Sequence, residues 1–511
     1  MVAVIRVPIL LGILVAAAVL AVLDGDAPAH AQTQPEFRPE RPLILVPGLL
    51  GSRLCRPDPA NPKETQVVWG TLASLRQFPT IRVQHDKDGK DDIVPCGVVR
   101  EIVYLGLYSQ NVYAPILRHL EQTGYRPEQD LFVFAYDWRR SVFDNAEALE
   151  RFVRDKVPDG KVDILAHSLG ALVARVYVME RGGSERVARL FSAGAPFQGS
   201  VKVFQTVQKG WGPLNTVMGG LDGFRRTILS FPSVFELMPR YVQCCDGAGN
   251  AFDPARAEIW NGLHWEGVEP ATMPDLAVTF ERIRRLEKMV TTPMPSNVED
   301  VLLVGVDQRT PLRAGFNGNG KTIELKVQTT WSGDGTVIRD SASLERVPLY
   351  PTSFANHQNI LSDRYIQEFL KVALIKGVKE AVASVPVYPR GKIKMADGAV
   401  TELVGVVVEP DEPIYRTGDI CKVRVHLRLG DVARVDAKTV RLSRVMPDGS
   451  EAVIRLEPDP AASDPTNPFE QSFVGTFEAG LTPGKGMLKA VLMIEGDKPR
   501  IVEHPVPVIA R

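Results

Sequence analysis

A serine flanked by small residues lies between a predicted strand and a predicted helix. Ser168 is the third residue of the pentapeptide Ala-His-Ser-Leu-Gly at residues 166–170, which follows the apolar run 162–165 and precedes the apolar segment 171–176. A sharp strand-to-helix turn of this kind, a nucleophile elbow, presents the serine hydroxyl above a sheet, where it can attack an ester carbonyl. The same residues would also suit an ordinary helix N-terminus, in which Ser168 only accepts hydrogen bonds from backbone amides. The pentapeptide therefore favours a nucleophilic serine without requiring one.

A serine nucleophile needs a histidine as general base and a carboxylate that orients the histidine. The chain order at such elbows is serine, acid, histidine, so the base should lie downstream of Ser168. We predict that His357 is the base, because it lies on a polar loop between a hydrophobic segment and an amphipathic one. His264 lies in a tryptophan-containing insertion, and we interpret His426 and His504 as residues of later β-strands.

Two carboxylates could orient the histidine. Asp307 follows the predicted strand 301–306, and Asp334 follows the predicted strand 322–327 in a Gly-Asp-Gly turn. Asp334 is closer in sequence to His357, and the glycines beside it allow a tight approach to another loop. We favour Asp334 and keep Asp307 as the alternative.

An oxyanion hole needs two backbone N–H groups directed at the charge that develops on the carbonyl oxygen. The residue after the nucleophile, Leu169, should supply one of them. The second should come from the glycine turn after the apolar strand within residues 42–52, where Leu50 or Leu49 is the predicted donor.

Strand and helix patterns alternate from residue 40 to about Gly377, which predicts a mostly parallel sheet covered by helices. We expect a catalytic α/β domain over about residues 32–380, with a helical cap insertion at about 200–298 that covers the serine and lines an acyl-chain pocket. Short apolar runs separated by turn residues predict a C-terminal all-β immunoglobulin-like sandwich over about residues 390–511. These runs are residues 403–408, 421–427, 439–445, 473–477 and 487–493.

Six motifs occur in a characteristic order along the chain. The chain resembles the lecithin:cholesterol acyltransferase family, which includes phospholipid:diacylglycerol acyltransferases, over about residues 40–370. The resemblance implies an α/β-hydrolase fold with Ser168 as nucleophile, Asp334 as acid, His357 as base, and the amides of Leu50 and Leu169 as the oxyanion hole. The motifs span residues 44–52, 136–139, 166–170, 194–196, 333–337 and 356–357.

The resemblance also bears on the cysteines, of which the chain has 5. In relatives a disulfide closes a mobile lid loop at the position of about residues 53–100, so we expect a Cys55–Cys96 disulfide here. Adjacent Cys244 and Cys245 could be a vicinal pair, two thiols or partners of other cysteines, and with five cysteines, including Cys421, at least one is unpaired. The spacing shows no zinc-binding pattern, and we predict no metal and no cofactor.

The N-terminus resembles a secretory signal. Arg6 precedes the apolar run 7–23, and Ala-His-Ala at residues 29–31 resembles a cleavage site. We expect residues 1–31 to be removed and the protein to be secreted or to lie in a bacterial periplasm or cell envelope. An uncleaved N-terminal membrane anchor is the alternative, since the run is close to the roughly 17 residues that can span a bilayer.

Charge excludes some partners. The chain has 60 basic and 61 acidic residues and no basic stripe, so nothing in it predicts binding to nucleic acid. A lipid or ester substrate, with transient contact to a membrane or lipid surface, is expected instead. No protein partner can be identified from the sequence.

The motifs together predict a serine-dependent lipid acyl hydrolase or O-acyltransferase that forms an acyl-enzyme on Ser168, with a phospholipid or glyceride as donor. Neither the natural donor nor the acceptor, water or a lipid alcohol, can be read from the residues. The alternatives are a carboxylesterase for small soluble esters and a catalytically silent protein that binds lipid at the cell envelope.

Overall fold

A computed structural model gives the architecture of most of the chain beyond residue 38. The structure describes residues 39–58, 61, 65–85, 91–104, 108–212, 214–241, 245–246, 268–269, 272–317, 324–353, 355–385, 391–394, 400–411, 415–429, 439–445, 451–459, 470–480, 484–493 and 500–509. The predicted signal or anchor at residues 1–31 lies outside this part. Within the described part, no helix is long and apolar enough to cross a membrane.

Six parallel strands form the central sheet, in the order β14-β11-β9-β8-β1-β7. Their runs of buried apolar residues are typical of a parallel sheet that is covered on both faces. The first fourteen strands are β1 (Leu43–Val46), β2 (Ser52–Pro57), β3 (Thr65–Trp69), β4 (Val94–Val98), β5 (Glu101–Tyr104), β6 (Tyr108–Asn111), β7 (Leu131–Val133), β8 (Val162–His167), β9 (Val187–Ala193), β10 (Cys245–Asp246), β11 (Glu299–Val306), β12 (Thr310–Asn317), β13 (Glu324–Thr330) and β14 (Leu349–Ser353).

Helices cover both faces of this sheet. The helices are α1 (Ala114–Gln122), α2 (Val142–Lys156), α3 (Leu169–Glu180), α4 (Lys202–Lys209), α5 (Leu214–Val217), α6 (Gly220–Ile228), α7 (Pro232–Glu236), α8 (Leu276–Thr291), α9 (Arg364–Lys376) and α10 (Val378–Ser384), with 3₁₀ turns at Ala73–Ile81, Gly183–Glu185 and Ile360–Ser362.

Side chains of β1 point alternately into two hydrophobic cores, one on each face of the sheet. Ile44 and Val46 pack into one hydrophobic core, together with apolar residues of α2 and α3. Leu43 and Leu45 pack into a second core with residues of α1 and α9. Successive strand residues point to opposite faces, so one strand serves both cores. The six-stranded parallel sheet and the helices that pack on both of its faces confirm the predicted α/β-hydrolase fold.

The segment between β2 and β4 packs against the cap helices. Cys55 and Cys96 form a disulfide that joins β2 to β4. The ring of Phe78 stacks on that of Phe224 at 5.3 Å, and the rings of Trp69 and Trp211 lie 5.9 Å apart. Aromatic residues of the predicted lid and cap segments thus form one shared core. The predicted boundaries of lid, cap and domains stay predictions.

The C-terminal strands form two five-stranded sheets, in the orders β15-β16-β18-β22-β21 and β17-β24-β23-β19-β20. Residues of both sheets, such as Val425 and Leu488, share one hydrophobic core. The predicted all-β character is confirmed, and the immunoglobulin-like topology stays a prediction. The strands are β15 (Gly391–Lys394), β16 (Val400–Pro410), β17 (Tyr415–Arg416), β18 (Ile420–Leu429), β19 (Val440–Val445), β20 (Glu451–Ile454), β21 (Glu457–Pro458), β22 (Glu470–Glu478), β23 (Gly484–Leu492) and β24 (Arg500–Ile509).

Candidate active site

Ser168 occupies the sharp turn between β8 and α3. Its backbone has φ 52° and ψ −125°, a conformation that L-residues rarely adopt and that is typical of strained functional turns. Its N–H donates to the carbonyl of Ala193 at the end of the neighbouring strand β9, over 2.9 Å. The hydroxyl makes no capping hydrogen bond to the helix backbone. The alternative interpretation of Ser168 as an ordinary helix cap is therefore wrong.

The structure brings Ser168, His357 and Asp334 together. His357 Nε2 lies 2.8 Å from Ser168 Oγ, and His357 Nδ1 lies 2.7 Å from Asp334 Oδ2. The serine is 7% exposed and the histidine side chain 12% exposed, so both are largely buried but still in contact with solvent. This is the order and spacing of contacts that a serine nucleophile, its base and its orienting acid require.

Backbone amides fix the carboxylate of Asp334. Its Oδ1 accepts hydrogen bonds from the N–H groups of Thr336 and Val337, at 2.9 and 2.7 Å, which leaves Oδ2 for His357. The backbone carbonyl of Asp334 also accepts from the N–H of His357, at 2.8 Å. The alternative acid, Asp307, follows β11, and its N–H donates to the carbonyl of Trp331. Of the two carboxylates, the geometry favours Asp334.

The predicted oxyanion residues flank Ser168. Leu169 is the first residue of α3, so its N–H has no acceptor within the helix. Leu50 adopts φ 64°, and its carbonyl accepts from the indole N–H of Trp69 at 2.9 Å, which directs that carbonyl toward β3. The loop itself lies close to the nucleophile, because a Cβ on Gly48 would come within 2.8 Å of the Ser168 Cβ. The roles of Leu50 and Leu169 as donors stay predictions.

Two residues beside this group escaped the sequence analysis. His167 Nδ1 lies 2.8 Å from the hydroxyl of Tyr113, and His167 Nε2 lies 2.9 Å from the backbone carbonyl of His357. The Tyr113 oxygen also accepts from the N–H of Gly48 at 2.8 Å. The only feature of the sequence that points to a role for His167 is its position next to Ser168. Tyr113 is 54 residues away from His167, and no motif marks it.

The other candidate histidines lie elsewhere or cannot be located. His426 is a residue of β18, as predicted, and its buried ring contacts Ser472 and Glu409 at 2.8 and 3.0 Å. His264 and Cys244 lie outside the described residues, and so do the side chains of Cys245 and His504. Cys421 is a buried free thiol. Searched over its described ranges, the chain has no cluster of side chains that could hold a metal ion.

The arrangement can carry out acyl transfer. A histidine within hydrogen-bond distance of a serine hydroxyl can accept its proton, and the carboxylate on the far side of the ring fixes the tautomer and stabilises the imidazolium that forms. Free amides at the start of α3 can stabilise negative charge on a bound carbonyl oxygen.

Solved structures with a similar fold include lipases and esterases. The mature form of lipase BlEst2 from Bacillus licheniformis is 13% identical, with a TM-score of 0.33, and the match covers 67% of this chain and 96% of the lipase. The propeptide form of the same lipase gives 10% identity, a TM-score of 0.34, and coverage of 92% and 95%. The product of the gene lin2722 from Listeria innocua is 11% identical, with a TM-score of 0.28, and the match covers 66% of this chain and 94% of that protein. At these identities nothing about substrate follows.

Sequence comparison is more specific. None of the curated protein sequences compared with this chain matches it significantly. The sequence model of the lecithin:cholesterol acyltransferase family matches residues 79–349, just over half of the chain, and this range includes Ser168 and Asp334. Together with the fold, the match makes the protein an ester-hydrolysing or acyl-transferring α/β-hydrolase. The chain belongs to the lecithin:cholesterol acyltransferase family.

Proposed function

We propose that the protein cleaves an acyl ester of a lipid through a covalent acyl-enzyme on Ser168. The observation that carries the proposal is the continuous contact from Ser168 Oγ to His357 Nε2 and from His357 Nδ1 to Asp334 Oδ2. All three groups are mostly buried, and an electrostatic interaction is stronger in such surroundings than in water.

In the first half-reaction, His357 Nε2 takes the Ser168 hydroxyl proton while Oγ bonds to the ester carbonyl carbon. The carbonyl electron pair moves onto oxygen, where the amides of Leu50 and Leu169 stabilise the charge. The intermediate collapses with loss of the alcohol, which takes the proton from His357. In the second half-reaction, water or a lipid alcohol gives its proton to His357 and attacks the acyl carbon. The bond to Oγ breaks, and Ser168 recovers its proton.

Partly exposed apolar side chains on the loop after β1 and in the cap region support a fatty acyl substrate. Leu49 and Leu50 are partly exposed on the loop whose Gly48 packs against Ser168. Trp211 and Leu214 of the cap region are also partly exposed and pack on the same hydrophobic core. Burying an acyl chain against such groups contributes roughly 0.8 kcal/mol per methylene. A phospholipid or glyceride is the proposed donor.

The experiment uses a phospholipid labelled in its acyl group, mixed lipid alcohols, and identification of labelled products by mass spectrometry. Ser168→Ala is the matched control, because it removes only the hydroxyl. We expect labelled product from the natural protein and none from the variant. Full activity of Ser168→Ala would overturn the proposal.

The products also separate the candidate functions. A new labelled ester identifies an O-acyltransferase and its acceptor, whereas labelled free fatty acid alone identifies a lipase or phospholipase. Faster cleavage of short than of long p-nitrophenyl esters would indicate a small-ester carboxylesterase, and the absence of any serine-dependent product would favour a silent lipid-binding protein.

We further propose that residues 1–31 direct the protein to a secretory route and are removed, so that it acts outside the cytoplasm. The apolar run 7–23 and the small residues at 29–31 support this proposal. Intact-mass measurement of the protein from its own host should find Gln32 as the first residue, and retention of residue 1 would instead support the N-terminal anchor.

A further inference from the structure

Three hydrogen bonds connect the loop after β1 to the loop that carries His357. The N–H of Gly48 bonds to the Tyr113 hydroxyl at 2.8 Å, the hydroxyl bonds to His167 Nδ1 at 2.8 Å, and His167 Nε2 bonds to the backbone carbonyl of His357 at 2.9 Å. Tyr113 and His167 are both buried. These residues form a continuous path behind the proposed catalytic group.

The proton positions along this path follow from chemistry. A backbone carbonyl can only accept, so His167 Nε2 carries the proton of the ring. Burial, together with the nearby His357 ring, lowers the pKa of His167 to about 3, so His167 is neutral and its Nδ1 accepts. The Tyr113 hydroxyl therefore donates to Nδ1, and its oxygen accepts from the N–H of Gly48. Burial raises the pKa of Tyr113 well above its ordinary value, which keeps the hydroxyl protonated.

His357 is held at four points. Its ring contacts Ser168 and Asp334, its N–H donates to the Asp334 carbonyl, and its own carbonyl accepts from His167. The last of these bonds attaches the backbone of the proposed base to the residue that directly precedes the nucleophile. A shift of His357 relative to Ser168 would therefore have to break it.

We propose that His167 and Tyr113 are positioning residues, which hold the backbone of His357 and the turn at Gly48 in the arrangement that the reaction needs. The inference rests on the proposed function of Ser168. His167 acts through the His357 backbone, and Tyr113 acts by fixing the orientation of the His167 ring and the loop that leads to Leu50. The neutral state of His167 matters as well. Its ring centroid lies 5.1 Å from that of His357, so a positive charge on His167 would disfavour the protonation of His357 that the reaction requires.

Two amide substitutions at residue 167 separate positioning from packing. In His167→Gln, the amide nitrogen reaches about as far as Nε2, so it can still donate to the His357 carbonyl. In His167→Asn, the amide reaches about as far as Nδ1, so it can still pair with Tyr113 but cannot reach His357. Both variants are neutral and remove the same aromatic ring.

We expect His167→Asn to lower kcat on an acyl ester by on the order of tenfold to a hundredfold, with KM changed much less, because small misplacements of a catalytic group have effects of this size. His167→Gln should lower kcat much less than His167→Asn, because it keeps the bond to the His357 carbonyl and loses only the bond to Tyr113. Tyr113→Phe should lower kcat to an intermediate extent. Tyr350→Phe is its matched control, because the Tyr350 hydroxyl is also buried but contacts the carbonyl of Val385 instead.

Rates are divided by the concentration of serine that a fluorophosphonate probe labels at completion, and thermal unfolding is recorded for each variant. Wild-type kcat in His167→Asn would overturn the inference. Equal losses of kcat in the Asn and Gln variants, in parallel with equal losses of thermal stability, would also overturn it in favour of a purely structural role. Failure of the proposed function is distinct, since the natural protein would then show no Ser168-dependent turnover.

Discussion

A buried carboxyl in the cap region should make stability depend on pH. Glu236, the last residue of α7, is fully buried and faces the N-terminus of α2, where it accepts hydrogen bonds from the Ser141 hydroxyl and from the N–H of Val142. Burial raises its pKa from 4.5 to about 7, and the two hydrogen bonds offset only part of that effect. The substitution that tests this is Glu236→Gln, which resembles the protonated carboxyl at every pH.

The size of the effect follows from the two pKa values. The folded protein binds the Glu236 proton more tightly than the unfolded chain, so this stabilising contribution is fully present below pH 4.5 and is lost as the pH rises through about 7. A pKa difference of this size corresponds to about 3 kcal/mol. Glu236→Gln lacks this dependence. Its free energy of unfolding should therefore be similar to that of the natural protein near pH 4.5 and higher by up to about 3 kcal/mol at pH 8.

The assay is urea unfolding of both proteins at a series of pH values between about 4 and 8, with the difference between them as the quantity of interest. Glu345→Gln is the control for the loss of one carboxylate, because the Glu345 side chain is 86% exposed. A Glu236→Gln protein that is less stable than the natural one at pH 8 would refute the reasoning. It would mean that the ionised carboxylate stabilises the N-terminus of α2 by more than its burial costs.

Two further predictions concern the acid and the disulfide. Asp334→Asn should lower kcat on the order of 10⁴-fold, as loss of the acid does in serine hydrolases with this geometry. Asp307→Asn should leave kcat within the same order of magnitude. Steady-state kinetics of both variants will show the reverse if Asp307 is the acid. Replacing Cys55 and Cys96 together by serine should lower the free energy of unfolding by roughly 4 kcal/mol, because the bond closes a loop with a sequence separation of 41. Urea unfolding measures this, and a loss below about 1 kcal/mol would contradict the loop-closure argument.

Local signals explain what could be predicted from the sequence. The elbow at Ser168 is visible because strand, turn and helix follow one another within a few residues. The central strands are visible because their apolar runs are uninterrupted, and the C-terminal strands because turn residues separate short alternating runs. The family resemblance, carried by short motifs such as the one around Asp334, then restricts the choice of acid.

Non-local contacts explain what could not be predicted. Asp307 and Asp334 both follow strands, and nothing within either segment tells which of them approaches His357. The pairing of Tyr113 with His167 depends on packing between α1 and the sheet, which leaves no pattern in either segment. Glu236 is a lone acid in an apolar stretch, and only the tertiary structure shows that it meets the N-terminus of α2.

The sheet order poses a geometric problem that two glycines solve. His357 follows β14, which is three strands away from β8 in the order β14-β11-β9-β8, or roughly 14 Å from the strand that ends at the serine. The loop with His357 must therefore cross above the ends of β11 and β9. Gly305 near the end of β11 leaves room for it, because a Cβ there would lie 2.6 Å from the Ala355 carbonyl oxygen. Gly194 after β9, at φ 58°, does the same, because its Cβ would lie 3.2 Å from both His357 Nδ1 and Asp334 Oδ2. The base can reach the nucleophile because the two intervening strand ends carry no side chain at the crossing points.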